Sequence, residues 1–187
     1  VPGAVRDFYK ACIGKPANWG VDSWELERLS PAQRQKAIKE EQEKYDALPP
    51  RFCFNALVPV PQEIIEKGYS VQDARIGYDD DGYNWCINHW GTKWDIYNTS
   101  FSGPEDVDEE VNEDSTYITC CFDTAWGPPL PWLRTASSLH PNVELELEYI
   151  EPGVYFGGIY ICRAGEVIEN HEFDDEEMLE KMKEMGY

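Results

Sequence analysis

Between residues 85 and 95 the chain sets a histidine, a lysine and an aspartate among three of its seven tryptophans: Trp85-Cys86-Ile87-Asn88-His89-Trp90-Gly91-Thr92-Lys93-Trp94-Asp95. Two kinds of chemistry are open to such a segment. An indole beside an ammonium can engage an anionic ligand by stacking and charge together. An imidazole near a thiol and a carboxylate can act as a base or a metal ligand. Trp85, His89, Trp90, Lys93, Trp94 and Asp95, with the later Trp126, are therefore the candidate binding residues. The first expectation for the four indoles is a packed helix–sheet core. The second is an aromatic platform for a base, peptide or sugar. Asp95 two residues from Lys93 reads as a local ion pair.

Catalytic sets do not assemble from spacing. His89, His140 and His171 form no H-x-x-x-H or H-x-E pattern, so neither a metal nor a zinc-type cofactor is expected. Cys86 and His89 can meet on a helix, yet nothing supplies an orienting third group or an oxyanion hole. Gly157-Gly158 reads as a bulge or a close approach within a strand. Asp79-Asp80-Asp81-Gly82 lacks the later Glu ligand of a calcium loop. No catalytic residue is assigned, and the function expected is binding to a protein partner; the alternative is a small-ligand or nucleotide-binding domain, with latent enzymatic activity, centred on Trp90, Lys93, Trp94 and Trp126.

Charge gives that expectation a direction. The 187 residues carry 36 acidic and 16 basic side chains, a formal charge of −20. That field repels nucleic-acid phosphates and favours a protein partner with a basic surface. Six cysteines sit mostly in apolar, strand-like contexts, so they read as reduced core thiols of a cytoplasmic protein. No apolar run approaches a membrane span and no signal peptide is visible.

The elements that must hold these residues follow from punctuation and period. Residues 1–50 read as a helical appendage, with Ser30-Pro31 starting a helix over 33–48 and Pro49-Pro50 ending it. Residues 51–59 read as a first strand and 62–67 as a short helix. A helix over 83–90 closes at Gly91, and 93–101 alternates as a strand. Seven carboxylates within residues 105–114 mark a loop. A strand over 116–124, a helix opening at Pro128-Pro129, a strand over 143–149 with Glu on its wet face and a strand over 154–163 follow. An extension through Val167 and Ile168 leads to an acidic helix over 174–185. The order predicts an α+β, ferredoxin-like split βαβ sandwich. Its antiparallel sheet has an added strand and helices mainly on one face, and strand 52–58 lies beside strand 116–124. The domains expected are 1–50, 51–165 and 166–187.

Three stretches carry a family likeness. Phe54-Asn55-Ala56-Leu57-Val58-Pro59-Val60-Pro61, the run from Asn84 to Asp95, and Phe122-Asp123-Thr124-Ala125-Trp126-Gly127-Pro128-Pro129 resemble the YubB-type proteins of plasmids and phages. The resemblance covers about residues 50–165. It implies a ferredoxin-like domain, named for shape and not for an iron–sulfur cluster, and a mobile-element origin. It carries over no catalytic residue.

Overall fold

The computed structural model describes residues 1–69, 78–102 and 114–186. The chain divides into two compact units, Pro2–Pro129 and Leu130–Tyr187. Among the described residues every strand pair is antiparallel, and strands mix with helices as an α+β chain requires.

The first unit opens with α1 (Ala4–Ala11), β1 (Ile13–Gly14), α2 (Ser23–Glu27) and α3 (Pro31–Ala47). Pro31 stands at the first helical position of α3, and the Ser30 backbone N–H donates to Gln33 Oε1 at 3.0 Å. No residue of α3 is buried, so exposed pairs such as Lys36–Glu40 and Lys39–Glu43 line it. The Lys15 ammonium donates to the carbonyls of Tyr45 and Asp46, placing a cation at the end of the helix where carbonyls lack partners.

Next come β2 (Arg51–Phe52), α4 (Phe54–Leu57), α5 (Gln62–Lys67) and α6 (Gly82–Trp90), then β3 (Tyr97–Ser102) and β4 (Thr119–Asp123). Here the expected strand 52–58 is corrected. Only Arg51–Phe52 is extended, and it pairs with Ile13–Gly14, not with residues 116–124. Phe54–Leu57 is a helical turn because the Asp95 carboxylate accepts the N–H groups of Phe54 and Asn55 at 2.7 and 3.2 Å. The strand that does pair with β4 is β3, with a register shift between Tyr97 and Ser100. Except for Asp114, the acidic loop expected over 105–114 lies outside the described residues.

The second unit is a three-stranded sheet in the order β5 (Glu144–Glu151), β6 (Phe156–Arg163), β7 (Glu166–Glu172), flanked by α7 (Leu130–Leu139) and α8 (Asp175–Glu184). Leu145 stands opposite Cys162, whose thiol donates to the Leu133 carbonyl of α7. α7 therefore covers that face. Ile150 and Gly157 lie on the other face, where a Cβ at Gly157 would stand 3.0 Å from Met178 Sδ. α8 grips this corner through buried Met178 and through Lys181, which pairs with Glu148 at 3.0 Å. The three-stranded sheet is thus covered on both faces, by α7 over one and by α8 at a corner of the other, where helices mainly on one face were expected. β1 pairs with β2 across position 50/51, and β6 pairs with β7 across position 165/166. Among the described residues, no helix is long and apolar enough to cross a membrane.

Candidate functional site

The site is organised by α6 and the turn that follows it. Asp81 caps α6 by accepting the Asn84 N–H at 2.8 Å, and Gly91 ends it at φ 81°, a conformation that suits glycine. Gly82 has no side chain because the Trp19 ring occupies the space a Cβ would need. Within the helix, Trp85 and Trp90 are 5% and 1% exposed and meet edge to face at 5.4 Å. Trp90 also packs on Phe54 and donates its indole N–H to the Val58 carbonyl at 2.9 Å. These two indoles are core, as first expected.

Past Gly91 the chain turns outward. Thr92 is buried and its hydroxyl donates to the Trp94 carbonyl at 2.8 Å, while the Tyr69 hydroxyl donates to the Lys93 carbonyl. Trp94 is left 42% exposed and Trp126 70% exposed. The packing expected of these two rings is therefore corrected. The Lys93 ammonium lies 4.7 Å from the Trp94 ring centre and 4.5 Å from that of Trp126, so one cation serves two indole faces. The Lys93 N–H donates to the Ala125 carbonyl, tying the two segments together. Tyr83 meets the Trp126 ring edge to face at 6.1 Å.

Trp126 takes φ 77°. A bulky residue in this region is a backbone outlier, costing about 1–3 kcal/mol, and such outliers cluster at binding sites. The Thr124 hydroxyl, donating to the Gly127 carbonyl at 2.8 Å, helps hold the turn.

Asp95 does not pair with Lys93. Its carboxylate accepts the backbone N–H groups of Phe54, Asn55 and Ile96. Burial pushes the carboxyl up, while those three donors and Arg51 act against the rise. Asp95 is thus a structural residue that fixes α4 against the strand region.

His89 lies flat on Trp85 at 4.6 Å, with Nε2 2.8 Å from Asp79. Enclosure acts to raise the Asp79 carboxyl, but hydrogen bonds from Asn88 and His89 outweigh it and leave it below the usual range. Cys86 is fully buried, and burial, with Asp95 and Asp81 adding, pushes its thiol far above the ordinary range. It supplies no thiolate for His89. All six cysteines are free, and burial pushes the Cys53 thiol up to about 11. Among the described residues, no three His, Cys, Asp or Glu side chains gather into a metal cage.

Two features escaped sequence reasoning. Trp19, from the N-terminal segment, joins the wall formed by Trp90 and Trp94, and Arg51 stands at the same place. Neither carries a local signal, because each reaches the site through long-range packing.

Residues 90–186, a little over half of the chain, match the model of a family described as the ferredoxin-like domain in Api92-like protein. No curated protein and no solved structure matches.

Proposed function

The chain belongs to the family of ferredoxin-like domains in Api92-like proteins, and from that premise we propose that it is a non-enzymatic interaction protein that binds and inhibits a basic partner. The supporting observation is the pairing of Trp94 and Trp126 across Lys93, both rings presented to solvent. Tryptophan is a favoured anchor of protein interfaces, and its faces receive the cations and aliphatic stems of a partner. The Lys93 ammonium lies within cation–π distance of both rings, and their exposed surface is left for contact. The −20 charge supplies long-range attraction toward a basic surface.

The likeness of the segments around Phe54, Trp90 and Trp126 to YubB-type proteins supports an origin in a phage or plasmid. A mobile element would use such a protein in the host cytoplasm against a nucleic-acid-binding protein, whose basic surface the acidic chain mimics a nucleic acid to occupy. The free thiols are in keeping with that compartment.

Affinity capture from bacterial lysate at low and high salt tests the reading. A basic protein should be retained at low ionic strength and released as screening shortens the reach of the charges. Capture of no basic protein, or of one indifferent to salt, would contradict it.

A further inference from the structure

Two adjoining cavities in the first unit share Arg51, and their linings differ in chemistry. One, of about 370 Å³, is lined by Pro16, Trp19, Trp90, Trp94 and Tyr97 among others, and is mostly apolar. The other, of about 660 Å³, is lined by Tyr9, Lys10, Arg51 and Thr99 with apolar neighbours, and no carboxylate lines it. In a chain of 36 acidic and 16 basic residues, a cavity with two cations and no acid runs against the composition. Asp95 is the one carboxylate lining either cavity, and its oxygens are committed to backbone N–H groups.

The cations are available. Among the described residues neither Lys10 nor Arg51 makes an ion pair with a carboxylate; Arg51 acts at longer range on Asp95 and makes one long bond of 3.4 Å to the Ile96 carbonyl. Among the described residues the enclosed Thr99 hydroxyl finds no hydrogen-bond partner. An orphaned hydroxyl is costly, and because it is shut off from solvent a ligand in the cavity reaches it only after a neighbour shifts.

We propose that these cavities form one bipartite site for a small ligand with a flat ring at one end and a phosphate at the other, of the mononucleotide class. The ring stacks among Trp19, Trp94 and Tyr97, against the wall that Trp90 makes. The phosphate sits with Lys10 and Arg51, two cations for a dianion, Arg51 matching its oxygens with a forked pair of donors. The volumes lie in the range of small-ligand sites. A long nucleic acid would still meet the repulsion of the whole acidic surface, whereas a mononucleotide brings only its own two charges. The site shares Trp94 with the partner-binding reading, but Trp126 lines neither cavity, so Trp126 separates the two.

Calorimetric titration of the whole chain with AMP, adenosine and ribose 5-phosphate tests the proposal. AMP should bind, and adenosine and ribose 5-phosphate should each bind at least about tenfold more weakly. Arg51→Gln should weaken AMP by about tenfold or more with an unchanged melting temperature. Lys10→Gln serves the same purpose should Arg51→Gln fail to fold. Trp126→Ala should leave AMP affinity intact even where it abolishes partner capture. Absence of AMP binding up to about 10 mM, equal affinity for AMP and adenosine, or indifference to both charge removals would overturn the proposal.

Discussion

Four tryptophans cluster around one turn of this chain and divide into two pairs. Trp85 and Trp90, on α6, are 5% and 1% exposed; Trp94 and Trp126, on the segments after Gly91 and after β4, are 42% and 70% exposed. The first pair is fixed by apolar contact and by the Trp90 hydrogen bond to Val58. The second is held by a cation between the rings and by a strained backbone at Trp126. A side chain with the same large apolar surface thus serves stability in one pair and is presented to solvent in the other. The backbone changes between them, since α6 ends in the left-handed conformation of Gly91 and Lys93 and Trp94 lie beyond it.

The contrast is broken most directly at its stable end. Trp90→Ala should cost about 3–5 kcal/mol in urea denaturation, a large share of the stability of a typical domain. A cost under about 1 kcal/mol would mean that Trp90 is not core. Asp95→Asn should come next, at about 1–3 kcal/mol, because it removes an acceptor from backbone donors that fix α4. A variant as stable as the parent would show that those bonds are not needed.

The exposed pair should respond oppositely. Trp126→Gly should melt at or above the parent temperature, since glycine relieves a φ of 77° and only a largely exposed ring is lost. A marked fall in melting temperature would place Trp126 with the core pair.

The smallest effect lies outside the aromatic cluster and serves as a control on the second unit. His171 is held above its ordinary 6.5 by a hydrogen bond from its ring to Glu177. Glu177 is held below its ordinary 4.5, first by the Asp174 N–H and then by His171. The histidine contributes fully below 6.5 and fades as pH rises through its folded pKa. The glutamate contributes fully above 4.5 and fades as pH falls. The pair is strongest between those two values. An NMR titration should place the His171 midpoint above 6.5, and Glu177→Gln should bring it down. An unmoved midpoint would remove Glu177 as the cause.

Local signals made much of this legible. The cap at Gly91, the alternation Leu145, Leu147, Tyr149, and the acidic start of α8 each report a conformation within a few residues, and the elements form there. Phe52-Cys53-Phe54 misleads because its fate is set some 40 residues away: Asp95 supplies the acceptor that turns residues 54–57 into a helix. The residue types around the turn were legible, but their exposure was not. Nothing in Trp94 distinguishes it from Trp90 until Lys93 and Trp126 are placed beside it. Asp95 misleads for the same reason, as its neighbour in sequence is Lys93 and its partners in space are N–H groups of α4.

The central claim is that the exposed pair recognises a partner and the buried pair holds the fold. Retention of the captured basic protein by Trp126→Ala, in a preparation whose melt matches the parent, tests it most directly. Binding should be lost while the fold stays intact. Full retention of the partner by the folded variant would contradict the account.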